Sequence, residues 1–394
     1  MNYKHNLAIL KANLFTPGYG GRWGLPVFLW GDPGTGKTAA SKALSREAGL
    51  GGFHALIASA SDPADFGGIN VPDADDPRFA RSLLTAWLRQ VDGWGDDGGA
   101  LLVDEVTTLS PALQAVMLGV VLDGQVGTYR LADGVRIIAA ANPIELAANG
   151  TPLAPPVANR FCHLDWGDGA DLDTWAAILR GDATLAAPID RVAEEERVLG
   201  LWGEAYSRAL GMVLGFLARR PDLRQVTPKP GDDATAWASS RTWEYAARAL
   251  ASSAIHGLCD DARDLWVAGC VSRPVAVEFF AWLRDADLPD PRALLDGQVR
   301  WQPQAHRPDL TGAVLDAVTA SLEADKRDGS AAFPARLTAA LALILDVAGV
   351  QRDLAARVMP RVQRLDPAAL VRAPGGRDLL LDLAGFAREV GVGR

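Results

Sequence analysis

Short apolar runs alternate with helical patterns up to about residue 165 of the chain. The runs predict strands at Pro26–Trp30, Phe53–Ala58, Ala100–Val103 and Val135–Ala140. Apolar positions at helical spacing predict helices at Lys37–Glu47, Arg81–Val91 and Pro111–Leu122. Strands that alternate with helices are typical of an α/β fold with a parallel sheet.

The pattern changes at about residue 170, where strand-like runs disappear and helical patterns rich in alanine, leucine and arginine take over. The predicted helices are Leu172–Leu179, Ile189–Ala218, Ser240–His256, Asp260–Ala268, Val275–Leu283, Arg336–Ala348, Leu354–Leu365 and Gly376–Val390. A polar stretch that contains prolines, Arg220–Ala236, predicts an exposed loop. The second half of the chain is therefore expected to be helical.

Composition and charge narrow the class of protein. The chain has 394 residues and 49% of them are hydrophobic, which excludes an intrinsically disordered protein. Its net charge is −9, which argues against a dedicated nucleic-acid-binding protein. Three scattered cysteines suggest a reducing compartment. The amino terminus lacks the apolar core of a signal peptide. The longest apolar stretch, Leu337–Val350, is too short to span a bilayer. We expect a soluble, cytoplasmic protein without direct membrane insertion.

Residues 31–38 match G-x-x-x-x-G-K-[ST], the pattern of a phosphate-binding P-loop, between a predicted strand and a predicted helix. Glycines let backbone N–H groups turn toward a polyphosphate, and the helix adds its positive N-terminal end. The lysine can reach the β- and γ-phosphates, and the hydroxyl of Thr38 can ligate Mg²⁺. The predicted nucleotide-binding residues here are Gly31, Asp32, Pro33, Gly34, Thr35, Gly36, Lys37, Thr38 and Ala39.

Two further predicted strands end in polar residues. Asp104 and Glu105 follow one apolar strand, and Asn142 follows another. Ligands bind at the carboxyl ends of parallel strands, so these side chains are expected to face the phosphate site. Asp104 can bind nucleotide-associated Mg²⁺, Glu105 can orient or deprotonate the attacking water, and Asn142 can contact the γ-phosphate or that water.

These motifs occur in the order and spacing of Walker A, Walker B and sensor 1 of AAA+ ATPases. More closely, the chain resembles the MoxR family of AAA+ proteins, over roughly residues 20 to 290. The matching stretches are residues 61–68, 102–109, 141–145 and 158–161, with residues 237–243 similar to the sensor 2 region. The resemblance implies an α/β P-loop AAA+ core with a parallel sheet at 1–166, an all-α lid at 167–290 and a helical C-terminal extension at 291–394.

Two arginines receive roles from this resemblance. Arg160 would be the arginine finger, which reaches the γ-phosphate held by a neighbouring subunit, because a guanidinium spreads charge over transition-state oxygens. The family usually has Asp before this arginine, whereas Asn159 stands there in this chain. Arg241 would be sensor 2, which contacts the nucleotide from the lid of the same subunit.

Two segments correspond to inserts of the family. Phe66–Ala80 would belong to the helix-2 insert. Residues 124–134 predict a β-hairpin, in which Val126–Leu131 pairs with the strand from Val135, and this would be the hairpin before sensor 1. Both inserts point toward the pore in related rings, so they are the candidate substrate-handling surface; a purely structural hairpin is the alternative.

The resemblance implies a MoxR-like ATP hydrolase of chaperone type, with ATP and Mg²⁺ as cofactors bound between subunits of a ring, six in the family. It also implies client proteins and a partner with a von Willebrand factor A domain. Two other functions stay open. One is a slow nucleotide-dependent switch or scaffold, against which the acidic pair and Asn142 argue. The other is a nucleic-acid-stimulated AAA+ motor, against which the acidic charge argues.

Overall fold

Strands and helices alternate in the first half of the computed structural model, and helices make up the second half. The structure describes residues 2–60, 63–76, 78–127, 129–147, 150–167, 169–180, 189–229, 235–286 and 288–366. The strands are β1 (Val27–Gly31), β2 (Phe53–Ile57), β3 (Ile69–Pro72), β4 (Ala80–Leu83), β5 (Gly99–Asp104), β6 (Gln125–Val126), β7 (Tyr129–Arg130), β8 (Val135–Ala141) and β9 (Cys162–Gly167). The helices are α1 (Asn2–Leu14), α2 (Lys37–Glu47), α3 (Pro63–Gly67), α4 (Ala86–Asp92), α5 (Pro111–Asp123), α6 (Pro155–Ala158), α7 (Leu172–Arg180), α8 (Arg191–Arg219), α9 (Ser240–His256), α10 (Asp260–Val271), α11 (Arg273–Ala286), α12 (Pro291–Leu295), α13 (Pro308–Arg327), α14 (Phe333–Ala348) and α15 (Arg352–Leu365).

Five strands form a parallel sheet within the described residues, in the order β2–β5–β8–β1–β9. The central strands β5 and β8 are buried along almost their whole length, because a parallel sheet is covered on both faces. Since the strands run in one direction, Gly31, Asp104 and Ala141 end at the same edge, called the carboxyl edge here. The opposite edge, where the strands begin, is called the amino edge. The predicted α/β fold with a following helical region is confirmed.

The chain divides into two compact units, Met1–Gly200 with Gln225–Ala276, and Leu201–Arg224 with Val277–Arg394. These bounds differ from the predicted ones, since α9 and α10 group with the sheet. The three-domain division at residues 166 and 290 therefore stays a prediction. The predicted helix Gly376–Val390, and Ser61 and Asp62 of the matching stretch 61–68, lie outside the described residues.

In the first unit, helices α1 and α10 pack beside the edge strand β9. Asn13 of α1 is buried and clamps the chain just before β1: its Nδ2 donates to Leu25 O at 2.9 Å, and Leu25 N donates to its Oδ1 at 3.0 Å. Near the other end of α1, Asn6 Nδ2 donates to Asp165 O at 2.6 Å. Hydrogen bonds from two buried side-chain amides thus fix α1 against β9 and against the chain before β1.

In the second unit, α12 to α15 surround a separate apolar core that includes Leu315, Leu341 and Val358. Arg336 joins this helical group by ion pairs, at 3.0 Å to the buried Asp325 and at 2.7 Å to Asp296. Among the described residues, no helix combines the length and the apolar character that crossing a lipid bilayer requires.

Two predicted elements are wrong in detail. The helix expected at Arg81–Val91 begins only at Ala86, because Ala80–Leu83 forms β4 and pairs antiparallel with β3. The hairpin expected between Val126–Leu131 and the strand from Val135 is instead a short one between β6 and β7. Val135 begins β8 and pairs with Gly99 of β5, so this strand extends the parallel sheet and not the hairpin.

Candidate active site

The P-loop connects β1 to α2 at the carboxyl edge. Gly34 and Gly36 have φ angles of 80° and 83°, in the left-handed region that favours glycine. A Cβ atom at either position would meet no heavy atom of the described residues within 4 Å, so it is the left-handed backbone and not crowding that favours glycine here. Two hydrogen bonds hold the shape of the loop: Thr35 Oγ1 donates to Asp32 O at 2.8 Å, and Trp166 Nε1 donates to Thr35 O at 3.1 Å. The loop therefore has the backbone conformation that is typical of a polyphosphate-binding loop.

Lys37 is the buried charge of this loop. Its Nζ donates to Gly31 O at 2.6 Å, to Asp32 O at 3.0 Å and to Asn142 Oδ1 at 3.2 Å. Burial lowers the pKa of Lys37 below its ordinary value, while the carboxylates of Asp104 and Asp32 act in the opposite direction. An ammonium group that neutral oxygens hold in a partly desolvated place is well suited to bind phosphate oxygens.

Thr38 and Asp104 provide the oxygen atoms for a magnesium site. Thr38 Oγ1 donates to Asp104 Oδ2 at 2.6 Å, which places a hydroxyl and a carboxylate side by side at the start of α2. No group of three or more His, Cys, Asp or Glu side chains that could hold a metal occurs among the described residues. Mg²⁺ is typically bound by only one or two protein oxygens and keeps water and phosphate oxygens as its other ligands. The hydroxyl of Thr38 and the carboxylate of Asp104 therefore fit this ion.

Glu105 follows Asp104 in a left-handed conformation, with a φ of 58°, that is uncommon outside glycine. Its backbone N donates to Asp104 Oδ1 at 2.9 Å, and its backbone O accepts from Thr108 Oγ1 at 2.7 Å. The side-chain Oε2 accepts a hydrogen bond from the hydroxyl of Ser59, which follows β2. The turn thus holds the carboxylate of Glu105 at the carboxyl edge, with one oxygen engaged by Ser59.

Asn142 follows β8, next to the end of β1, since Trp30 and Ala141 are paired residues. Besides accepting from Lys37, it is fixed by its backbone O, which accepts from Thr107 Oγ1 at 3.4 Å. The structure therefore brings together the residues that the sequence placed at the phosphate site. These are Lys37, Thr38, Asp104, Glu105 and Asn142.

Arg160 lies at the amino edge, two residues before β9 begins. Val27 and Cys162, the first residues of β1 and β9, are partners in the sheet, and the P-loop begins about 13 Å further along β1 at 3.3 Å per residue. Arg160 donates from Nη1 to Pro156 O, and its buried Nε has no hydrogen-bond partner among the residues that the structure describes. Burial is the main cause that lowers the pKa of Arg160, and the positive charge of Arg241 lowers it further.

Arg241 lies at the same amino edge. Its Nη1 donates to Asn159 Oδ1 at 3.5 Å, and Ser239 Oγ donates to the same oxygen at 2.9 Å. A cavity of about 310 Å³ lies beside Arg241 and is lined in part by Asp123 and Tyr245. The structure thus places Arg241 beside Asn159 and Arg160, and its expected same-subunit sensor 2 role stays a prediction.

The comparisons with known proteins agree with this geometry. The family model described as AAA domain (dynein-related subfamily) matches residues 26–161. The chain carries an AAA domain. It is therefore an AAA+ ATPase in this region, and the predicted enzyme class, an ATP hydrolase, is confirmed. Comparison with curated proteins gave no match.

A crystal structure described as a "putative ATPase" from Cytophaga hutchinsonii is similar to this AAA+ chain at 16% identity with a TM-score of 0.44. The similarity covers 68% of this chain and 81% of that one. The match over residues 26–161 and the P-loop geometry together show that the chain carries an AAA domain.

Sequence reasoning missed two side chains of the site, Ser59 and Trp166. Ser59 carried a signal, because it is the first polar residue after a predicted strand, as Asp104 and Asn142 are. Trp166 carried none, since an indole that hydrogen-bonds to the P-loop backbone cannot be told from a core tryptophan by its position in the sequence.

Proposed function

We propose that this AAA+ ATPase works as a ring in which each Mg-ATP site lies between two subunits. The observation that supports this is the placement of groups on opposite edges of the sheet. The P-loop, Asp104 and Glu105 lie at the carboxyl edge, whereas Arg160 lies at the amino edge and cannot reach them in its own chain. An arginine in this position can act only on a site held by another subunit.

Within one site, the residues of this chain have separable tasks. Lys37 and the P-loop N–H groups bind the phosphates, and Thr38 and Asp104 hold Mg²⁺, which when bound withdraws charge from the phosphate oxygens. Asn142 orients the γ-phosphate or the attacking water, and Glu105 accepts the proton of that water. Ser59 engages only the Oε2 oxygen of Glu105, so Oε1 can accept from the water.

Arg160 of the adjacent subunit supplies the positive charge at the transferring phosphate. Arg241 lies next to Arg160, so we assign it to the same intersubunit face rather than to the nucleotide of its own chain. The paired guanidiniums repel each other, and an anionic phosphate from a neighbour would relieve this repulsion.

We further propose that the ATPase is a MoxR-like chaperone that remodels client proteins, with a von Willebrand factor A domain protein as partner, in a six-subunit ring in the cytoplasm. The hairpin β3–β4 supports contact with clients, because Ile69 and Leu83 are paired on it and both are about half exposed, at 53% and 46%. Exposed apolar side chains on a projecting hairpin are suited to contact another polypeptide.

Two substitutions test the hydrolase proposal. Glu105→Gln is expected to retain nucleotide binding and to lose turnover, by on the order of 100-fold or more, because the amide cannot accept the proton. Lys37→Ala is expected to lose binding itself, whereas Lys42→Ala, at an exposed lysine of the same helix, serves as the control. Measurements of binding with a fluorescent nucleotide and of phosphate release separate the two steps. Unchanged hydrolysis in Glu105→Gln would remove Glu105 from the mechanism.

The same assay discriminates between the functions left open by the sequence. A client-remodelling ATPase turns over without nucleic acid and is stimulated by protein partners. A switch binds ATP and releases phosphate at a rate that Glu105→Gln hardly changes. Stimulation of the wild-type chain by duplex DNA would favour a nucleic-acid motor instead.

A further inference from the structure

His163 lies between the strand that leads into the P-loop and the turn that carries Arg160. It is on β9, opposite Phe28 of β1 in the parallel pairing, so its ring is on the same face of the sheet as Phe28 and Trp30. The ring stacks on Phe28 with centroids 5.5 Å apart and lies nearly parallel to the indole of Trp30 at 6.2 Å.

Both ring nitrogens of His163 form hydrogen bonds. Trp30 Nε1 and His163 Nδ1 are 2.9 Å apart, and because an indole N–H can only donate, Nδ1 is the acceptor. The proton of the neutral ring is therefore on Nε2, which donates to Ala158 O at 2.8 Å. Burial lowers the pKa of His163 to about 4, so the ring stays neutral near pH 7. The imidazole thus joins Trp30 to Ala158 in a fixed tautomer.

The two ends of this bridge belong to opposite edges of the sheet. Trp30 immediately precedes Gly31, whose carbonyl oxygen accepts from Lys37 at 2.6 Å. Ala158 ends helix α6, and its carbonyl oxygen also accepts from Phe161 N at 3.2 Å, which closes the turn that contains Asn159 and Arg160. A displacement of Trp30 would therefore be transmitted through the imidazole to the turn.

We propose that His163 is a positioning residue that couples the P-loop of one subunit to the Arg160 which that subunit presents to its neighbour. This inference rests on the proposed intersubunit role of Arg160. Binding of nucleotide at Lys37 changes the contacts of Gly31, and the bridge from Trp30 to Ala158 carries the change to the amino edge. Occupancy of one site then sets how well the next site around the ring is completed.

The variant that tests this is His163→Phe, which retains an aromatic ring between Phe28 and Trp30 and removes both hydrogen bonds. His54→Phe is the matched control. His54 also lies on a sheet strand, stacks on a tryptophan, Trp87, at 6.0 Å and hydrogen-bonds through its ring to Gln90, and both of these partners are on α4. Thermal unfolding of each variant reports whether the fold is retained.

The measurement uses mixed assemblies of two inactive chains. Glu105→Gln chains bind nucleotide without turnover and supply Arg160, and Arg160→Ala chains supply intact P-loops with Glu105, so ATP is hydrolysed only where the two kinds meet. His163→Phe is then placed in one chain or in the other. In the chain that supplies Arg160, it is expected to lower kcat by about tenfold with KM for ATP unchanged, since small misplacement of a catalytic group reduces rate steeply. In the chain that supplies P-loops, the expected change in kcat is less than about twofold.

The outcomes separate this inference from the proposal on which it rests. Equal losses in both placements would show a merely structural role and overturn the inference about His163 alone. No activity in the parent mixture, with mixed assemblies demonstrated by mass, would overturn the intersubunit role of Arg160 and the inference with it. Recovery of activity by His163→Gln, which restores an acceptor and a donor, would support the hydrogen-bonded bridge.

Discussion

At the scale of single residues, the contact between Ser59 and Glu105 has the most direct consequence for the rate. In the proposed mechanism Glu105 accepts a proton from water, and its Oε2 also accepts the hydroxyl of Ser59. A hydrogen bond to a carboxylate is stronger while the carboxylate is charged, so part of it is lost when the proton arrives. We therefore expect this contact to lower the rate.

Substitution of Ser59 by alanine frees the carboxylate of Glu105. We expect kcat to rise by about two- to fivefold, because one hydrogen bond is worth roughly 1 kcal/mol, and KM for ATP to change little. Steady-state phosphate release checks this, with Ser110→Ala as a control at a serine that caps α5. A lower kcat in Ser59→Ala would show that the hydroxyl assists the reaction.

The lowered pKa of His163 makes the stability of the fold depend on pH. Its pKa is about 4 in the folded chain against an ordinary 6.5, because burial disfavours the charged ring. The unfolded chain therefore binds a proton more readily, and stability is lost as pH falls from 6.5 toward 4, by about 3 kcal/mol in total. Denaturant unfolding at pH 7 and pH 4.5 is expected to show a larger loss for the wild-type chain than for His163→Phe. Equal losses of stability in the two chains would contradict the burial of a neutral imidazole at His163. His256 is present in both chains, so its contribution cancels in this comparison.

The sequence predicted most of the site at this scale. Glycine spacing and the carboxyl ends of strands placed Lys37, Thr38, Asp104 and Asn142 together, because backbone topology alone brings those positions to one edge. The sensor 2 role of Arg241 stays a prediction, since sequence spacing does not tell at which edge of the sheet a later helix packs. Here α9 groups with the sheet, and Arg241 lies beside Arg160.

At the scale of elements, the sequence predicted four strands of the parallel sheet and missed β9, one of its two edge strands. β5 is apolar up to its last residue, Asp104, and β8 has Arg136 as its one charged residue, whereas β9 has His163 and the exposed Asp165 within it. Helix α1 was also missed, since its inward face includes the amides of Asn6 and Asn13. The sequence predicted a helix where β4 lies. Leu83 of β4 pairs with Ile69 across a hairpin, and local periodicity does not show such a pairing.

The amide of Asn13 is the contact that fixes α1 to the chain before β1. Asn13→Ala would leave the N–H and C=O of Leu25 buried without partners, at a cost of about 2 to 4 kcal/mol. Denaturant unfolding is expected to show this loss, whereas Lys11→Ala, on the more exposed face of the same helix, is expected to change stability by less than about 1 kcal/mol. A loss below 1 kcal/mol for Asn13→Ala would mean that water replaces the clamp.

At the scale of the whole molecule, the account depends on the separation of the two edges of the sheet. One edge holds the P-loop, the acidic pair and Asn142, and the other holds Arg160 and Arg241. In the proposed ring, one subunit therefore contributes to two different sites. A head-to-tail arrangement, in which each amino edge meets the carboxyl edge of the next chain, would complete every site when its rotation closes the ring.

The mass of the protein in solution tests this claim most directly. Light scattering would be carried out on the Glu105→Gln chain, with and without Mg-ATP, and on the Lys37→Ala chain as the control that cannot bind nucleotide. We predict a change from a small species to a closed oligomer, near six subunits, only when Glu105→Gln binds Mg-ATP. A monomer under every condition would contradict the account, because Arg160 would then have no neighbouring site to complete.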